Sequence, residues 1–235
     1  MKSKLSAKEI WLDYVPMFVC AALILFFAIL KEQTVIKTLP TLITLVVQLL
    51  LVRANRFAFL LGAANSLIYG VAYWTEDLYF SMISTVLISA PIQIYSFFHW
   101  RAHSGGLHTR LRLLPLPRLL IILLLTLGGW LVLYFSCKPL FATAAYPLWD
   151  SLLFVLGITI SLLVARRAVE SQYINLISCV IGIVIWILLT VRTPGNINYV
   201  IISFYNLFRV AQAAVSWTRQ YLRDKSADAA TSTAK

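Results

Sequence analysis

The side chains best suited to specific binding in this 235-residue sequence are amides and hydroxyls inside long hydrophobic stretches. Several stretches carry them at helical spacing, which places them on one helix face. Amides suit hydroxyl and carboxamide groups, and the neighbouring tyrosine and tryptophan rings suit a flat ring. The candidate substrate-binding residues are Asn65, Tyr69, Gln93, Gln172, Asn175, Tyr199 and Asn206.

Polar side chains at hydrocarbon depth are costly unless they face a partner, a cavity or a substrate. Two interpretations therefore stay open. The amides can bond neighbouring helices, at about 1 kcal/mol or less per contact, or they can line a shared solvated cavity. We favour a cavity, because the amides come from four separate helices. We expect it near the bilayer midplane, with a volume of roughly 300 Å³ or more.

Residues for catalysis or metal binding are sparse. The sequence lacks a Walker-type phosphate loop, so ATP-driven transport would need another subunit. The histidines flank a basic connection, which is typical of solvated residues, and the cysteines show no paired spacing. We predict no enzyme activity, no metal and no cofactor. The residues concerned are His99, His103, His108, Cys20, Cys137 and Cys179.

Two charges lie near the membrane region. Asp150 follows Trp149 at the end of a hydrophobic stretch, where we expect a hydrated interfacial carboxylate. Arg209 lies toward the end of the last stretch, and we expect it to reach water by snorkelling. Neither position predicts a proton relay. If a solute crosses the membrane through this protein, its movement should therefore follow its own concentration gradient.

Composition indicates which elements must position these residues. Hydrophobic residues make up 60% of the chain and charged residues 12%, against about 45–50% and about 25% in soluble domains. A membrane-spanning helix needs roughly 20 mostly apolar residues. The sequence predicts an all-α integral membrane protein with about eight spans, at residues 14–30, 35–52, 57–74, 78–100, 113–136, 146–165, 173–191 and 197–217.

The net charge of +11 lies at the ends of these spans rather than in one stripe, which argues against nucleic acid as a partner. Alternate connections hold fifteen of the twenty lysines and arginines, and the opposite connections hold four. By the positive-inside bias, both termini are predicted to be cytoplasmic, in a bacterial-type inner membrane.

The spans also suggest an internal repeat. Spans two to four and six to eight are separated by span five, so the two three-helix units should be parallel. Residues 50–53 resemble residues 162–166, and Ser66–Gly70 parallels Ser178–Gly182. Parallel repeats occur in transporters that hold substrate between the halves. We predict an extra helix and tail at 1–34, a core at 35–218 and a cytoplasmic tail at 219–235.

Several short motifs occur one after another across residues 35–218. They are Gly62-Ala-Ala-Asn65, Tyr69-Gly70, Leu78-Tyr79-x-Ser81, Ile94-Tyr95, Leu114-Pro-Leu-Pro-Arg118, Ala145-Tyr-Pro-Leu-Trp-Asp-Ser151 and Leu163-Val-Ala-Arg-Arg-Ala-Val-Glu170. Together they resemble the PnuC-type vitamin transporters.

The resemblance implies a SWEET-like arrangement of three helices, a linking helix and three helices, and it favours a homo-oligomer in the lipid bilayer. It also implies facilitated diffusion of a small molecule, nicotinamide riboside first, with trapping by a cytoplasmic kinase; some relatives carry thiamine, riboflavin or deoxynucleosides. One departure bears on substrate. Gln172 and Asn175 stand where the nicotinamide riboside carriers show tryptophans, so ring-stacking contacts are lost there. A non-transporting membrane scaffold is the competing class.

Overall fold

The computed structural model describes residues 7–102, 110–137 and 146–233. These residues are helical apart from short turns and one isolated backbone bridge. The helices are α1 (Ala7–Leu30), α2 (Val35–Val52), α3 (Phe57–Thr75), α4 (Tyr79–Ile83), α5 (Ala90–Ala102), α6 (Leu116–Cys137), α7 (Pro147–Ala165), α8 (Glu170–Arg192) and α9 (Ile197–Thr233). A π-helical segment, Ser84–Ser89, joins α4 to α5, and we call this continuous run α4–α5. Each predicted span overlaps one of these runs, although α1 begins earlier than predicted and α9 continues past residue 217 to Thr233. His103 and His108 lie outside the described residues, as does the side chain of Cys137.

Seven of the described runs, α1 to α8 with α4–α5 counted once, are long and apolar enough to cross a membrane. Their outward faces are apolar: Leu124 and Leu125 of α6 are 69% and 70% exposed. Helix α9 falls outside this group because it carries Asn198, Asn206 and Arg209, yet it packs against α1, α2 and α8. The prediction of an all-α, multi-pass membrane protein is confirmed.

The π-helical segment follows from a proline. Pro91 has no backbone N–H, and its ring would clash with the carbonyl group four residues earlier in a regular α-helix. Just before it, the Ala90 amide donates to the Thr85 carbonyl, five residues back. Such wider turns are frequent at functional sites. Here the wider turn carries the hydroxyl groups of Ser84, Thr85 and Ser89.

Six helical runs form a closed ring. Going around it, α2 contacts α3, α3 contacts α4–α5, α4–α5 contacts α7, α7 contacts α8, α8 contacts α9, and α9 returns to α2. Helix α1 packs outside the ring on α2 and α9, and α6 packs outside it on α7. The ring therefore places any shared site between the two three-helix units.

Two turns of equal geometry relate these units. The turn after α2 places Ala54 at a φ of 49°, and the turn after α7 places Arg167 at 64°. In each turn, successive backbone amides donate to carbonyls three and five residues back, which is the Schellman motif. This alignment pairs Ser66 with Cys179. The sequence-based alignment of Ser66 with Ser178 was wrong by one residue, because short apolar motifs do not define a helical register.

Two tryptophans cross between the units. The indole Nε1 of Trp100, on α5, donates to the Val164 carbonyl near the end of α7, at 3.0 Å. The indole Nε1 of Trp217, on α9, donates to the Leu51 carbonyl near the end of α2, at 3.2 Å. The two ring centroids are 5.6 Å apart. Such a reciprocal exchange is what a two-fold pseudo-symmetry axis between parallel units produces, and it supports the predicted repeat.

Candidate functional site

A cavity of about 240 Å³ lies inside the ring, between α4–α5, α7, α8 and α9, with Tyr73 of α3 completing its lining. Its volume is below the roughly 300 Å³ expected from the sequence. Polar groups dominate the wall, and its described lining carries no charged side chain. The polar lining residues are Ser81, Ser84, Thr85, Ser89, Asn175, Ser178, Ser203 and Asn206.

Two amides face this cavity from neighbouring helices. Asn175, on α8, accepts a weak hydrogen bond from the Cys179 thiol, with Sγ and Oδ1 3.9 Å apart. Asn206, on α9, has a buried Oδ1 with no hydrogen-bond partner among the described residues. A buried acceptor without a partner costs about 1–3 kcal/mol. A hydroxyl or amide donor on a bound solute would satisfy this oxygen.

Aromatic rings form a second part of the wall. Tyr73 and Trp186 both line the cavity, and their ring planes are 24° apart with centroids at 6.1 Å. Tyr69 stacks on Tyr73 with centroids at 5.6 Å, and Tyr199 stacks on Trp186 with centroids at 4.1 Å. The resulting four-ring stack holds the two lining rings in fixed orientations. The cavity therefore combines flat aromatic surface with hydroxyl and amide groups.

The cavity exists because the two units differ at equivalent positions. The turn alignment pairs Thr44 with Gly157 and Tyr69 with Gly182. In the first unit, Thr44 donates to the Tyr69 hydroxyl at 3.2 Å and accepts from Asn65 at 2.9 Å, so these side chains fill the space. In the second unit, a Cβ added at Gly182 would meet no atom within 4 Å. The cavity is thus the second unit's counterpart of volume that side chains occupy in the first.

The predicted site residues differ in where they lie relative to the cavity. Asn175 and Asn206 line the cavity. Tyr199 stacks behind Trp186, and no described residue forms a hydrogen bond with its hydroxyl. Asn65 and Tyr69 belong to the α2–α3 contact described above. Their assignment to a binding site stays a prediction.

Gln93 and Gln172 lie elsewhere. Gln93 donates to the Ser66 hydroxyl at 2.9 Å and lines a separate cavity of about 140 Å³. Gln172 is fully buried, and neither of its amide atoms has a partner among the described residues. Sequence reasoning missed Tyr73 and Trp186. A correct repeat alignment is the signal that would have found them, because it pairs these two residues.

Asp150 is not hydrated, contrary to the expectation from sequence. It is fully buried and accepts hydrogen bonds from the backbone amides of Phe80, at 3.0 Å, and Ser81, at 3.1 Å, and from the Ser81 hydroxyl. A carboxylate is stabilised at a helix N-terminus by the exposed amides and the helix dipole. Asp150 therefore caps α4 from a different helix and holds Ser81 in the cavity wall.

Arg209 does not snorkel to water either. It is fully buried, and its Nη1 lies 3.1 Å from Asp13 of α1 and 2.7 Å from the Gln212 side chain. Arg53 also pairs with Asp13, at 2.7 Å. A buried arginine needs a carboxylate partner, and α1 supplies it. The extra N-terminal helix thus neutralises a charge on the ring.

The end of the ring farthest from the two tryptophans is held by a further polar cluster. Lys37, on α2, lies 2.5 Å from Glu76 and donates to the Asn196 side chain at 3.1 Å. Asn196 in turn donates to Glu76 at 2.5 Å. Lys37 lies in the first turn of α2, Glu76 follows α3, and Asn196 precedes α9, so the cluster joins both units. Cross-unit contacts therefore hold the bundle at both ends, with the cavity between them.

Comparisons with known proteins agree with this architecture. The family model described as nicotinamide mononucleotide transporter matches residues 34–219. The nicotinamide riboside transporters PnuC of Escherichia coli (strain K12) and Shigella flexneri are each 25% identical over 174 residues, which is 63% of this chain and 72% of theirs. A crystal structure of the vitamin B3 transporter PnuC superposes with a TM-score of 0.80 and 15% identity, covering 94% of both chains. The chain belongs to the nicotinamide mononucleotide transporter family.

Proposed function

We propose that this protein is a facilitative membrane transporter of nicotinamide riboside and that it binds this solute in the cavity between its two units. The supporting observation is the cavity's composition: two fixed aromatic rings beside a wall of hydroxyls and amides, without charge among the described lining residues. The relatives named as nicotinamide riboside transporters point to the same solute.

The aromatic pair suits the pyridinium ring. A cation over the face of tyrosine or tryptophan gains about 0.5–2 kcal/mol, with the larger value where water is excluded. Tyr73 and Trp186 offer such faces, and Trp186 is held by Tyr199 behind it. Gln172 and Asn175 lack the aromatic rings of the tryptophans expected at these positions. Tyr73 and Trp186 replace those ring contacts in part, since both line the cavity. Thiamine also carries a cationic ring and is the runner-up substrate.

The polar wall favours a riboside over a mononucleotide. Ribose hydroxyls donate and accept hydrogen bonds, and the lining offers serine hydroxyls together with Asn175 and Asn206. A phosphate is normally bound by arginine, lysine or backbone amides at a helix N-terminus. The described lining includes no arginine or lysine. Binding a mononucleotide here would therefore leave the phosphate charge without a cationic partner.

The charges of the bundle support transport down a solute gradient. Asp13 is paired with Arg53 and Arg209, and Asp150 accepts hydrogen bonds from three donors. A carboxylate that is already paired or saturated is a poor site for binding a coupled ion. We further propose that both termini lie in the cytoplasm of a bacterial inner membrane, where a kinase would trap the solute.

Uptake into proteoliposomes tests the proposal. Labelled nicotinamide riboside should enter with saturation and exchange in counterflow without an ion gradient. Unlabelled nicotinamide riboside should compete strongly, thiamine more weakly, and nicotinamide mononucleotide should not compete. Preferred competition by thiamine, riboflavin or a deoxynucleoside would reassign the substrate. A requirement for a sodium or proton gradient would refute the energetics, and absence of saturable uptake for every solute would favour a scaffold.

A further inference from the structure

A second cavity, larger than the first, opens at the membrane boundary between α5, the start of α6 and the α7–α8 turn. Its volume is about 560 Å³. Four arginines line it: Arg112, Arg118, Arg166 and Arg167. We call it the arginine groove. It is separate from the cavity that we assign to the transported solute, and that function makes no use of it.

The groove is built by backbone pairing. Residues 110–115 dock onto the α7–α8 turn: the Arg112 amide donates to the Arg167 carbonyl at 2.9 Å, and the Val169 amide donates to the Arg112 carbonyl at 3.0 Å. The Leu114 amide donates to Glu170 at 2.6 Å. These contacts fix the segment that precedes α6, so the arginines converge on a preformed site rather than on a loose chain.

The described residues balance the groove's positive charge only in part. Among the described residues, none of the four arginines forms an ion pair, and no carboxylate lines the groove. The nearby acid, Glu170, accepts a hydrogen bond from the Leu114 amide and does not line the groove, and its single charge offsets at most one of the four arginines. Clustered guanidinium groups repel one another unless an anion lies between them. Arginine also matches phosphate oxygens by its planar, forked donors.

Arg167 provides an independent indication of an anion. It is 3% exposed, its Nη1 donates to the Arg110 carbonyl at 3.2 Å, and its Nε has no partner. Burial, together with the Arg112 charge, lowers the pKa of Arg167. An anion in the groove would offset both the burial of this charge and the repulsion from Arg112.

The rest of the lining is apolar and faces outward. Leu113 and Ile121 line the groove and are 51% and 55% exposed, and Pro115 and Ile122 lie beside them. Since the apolar helix α6 begins at Leu116, Ile121 and Ile122 are placed toward the acyl chains, and Arg112, Arg166 and Arg167, which lie outside the helices, are placed toward the lipid headgroups. Basic pockets between spans are known binding sites for anionic lipid headgroups. A free anion would use the arginines but leave the apolar side uncovered.

We propose that the arginine groove binds the phosphate headgroup of an anionic phospholipid, whose acyl chains lie along Ile121 and the outer face of α6. The lipid would neutralise the groove and fasten the α6 linker to the second three-helix unit. This inference does not depend on which solute the protein transports.

Native mass spectrometry of the detergent-purified protein tests it. The probes are a phosphatidylglycerol and a phosphatidylcholine with the same short acyl chains. We expect at least tenfold tighter binding of phosphatidylglycerol to the unmodified protein. The triple variant Arg112→Gln, Arg118→Gln, Arg166→Gln changes exposed side chains and should lose that preference. The control triple variant Arg219→Gln, Arg223→Gln, Lys225→Gln removes the same charge from α9 and should keep the preference within twofold.

A single-residue variant keeps the proposal testable if the triple variant does not fold. Leu113→Glu introduces one carboxylate at an exposed position of the groove and should likewise abolish the preference for phosphatidylglycerol. Equal binding of the two lipids by the unmodified protein would overturn the proposal. So would an unchanged preference in folded groove variants. If glycerol phosphate competes as well as the whole lipid does, the groove is a site for free phosphate compounds and the lipid assignment is wrong.

Discussion

Replacing Asp150 by asparagine should destabilise the protein, because it removes the carboxylate that caps α4. The carboxylate accepts three hydrogen bonds from the start of α4. An asparagine side chain keeps one acceptor oxygen and turns an NH₂ group toward the remaining donors. Hydrogen bonds to a charged group contribute about 1.5–3 kcal/mol each, and a buried donor left unpaired costs about 1–3 kcal/mol. The expected loss is therefore about 3 kcal/mol.

Thermal unfolding in detergent measures this loss. For chains of this size, 1 kcal/mol shifts the midpoint by about 2–4 °C, so the Asp150→Asn variant should unfold about 6–12 °C below the unmodified protein. Asp77→Asn is the matched control. It removes the same charge near the start of α4, but Asp77 is exposed and contacts only the Tyr79 hydroxyl among the side chains described, so its midpoint should stay within about 2 °C. Equal midpoints for the two variants would refute the assignment of Asp150 as the cap of α4.

Three further changes test the site and its support. Asn175→Leu should abolish binding of nicotinamide riboside without lowering the unfolding midpoint, because leucine is well tolerated in a membrane helix; normal binding by this variant would remove Asn175 from the site. Gly182→Leu should place a side chain in the cavity and block binding, as measured by calorimetry, whereas Gly128→Leu, in peripheral α6, should bind normally. Asp13→Asn should destabilise by about 3–5 kcal/mol, because it leaves buried Arg209 without its carboxylate. Arg209→Met in the same chain should recover part of that loss, and a simple addition of the two single losses would contradict their coupling.

The spans could be predicted from sequence because each depends on local hydropathy. The ends of α2, at Val52, and of α7, at Ala165, agree with the predicted spans, since arginines follow both. The amides of Asn175 and Asn206 could also be selected, because polar groups are rare at that depth and the cavity gathers two of them. Such features depend on the residue and its own helix.

The partners of buried charges could not be predicted in the same way. Asp150 follows an interfacial tryptophan, so its sequence neighbours suggested hydration, whereas its donors lie about seventy residues earlier in the chain. Arg209 similarly finds Asp13 on α1, a helix that sequence reasoning treated as an addition to the core. Choosing between water and a distant partner requires the packing of helices against one another.

The difference between the two units explains why this repeated fold has one polar cavity, rather than two equivalent ones, among its described residues. A perfect repeat would offer two equivalent volumes on either side of the axis marked by Trp100 and Trp217. In the first unit, Thr44 and Tyr69 occupy that volume and are joined by a hydrogen bond. In the second unit the equivalent residues are Gly157 and Gly182, and the missing side chain at Gly182 leaves room for a solute. The repeat thus supplies a ring that can be held at both ends, and the loss of symmetry inside it confines binding to one place. One solute per chain is the stoichiometry that this arrangement favours.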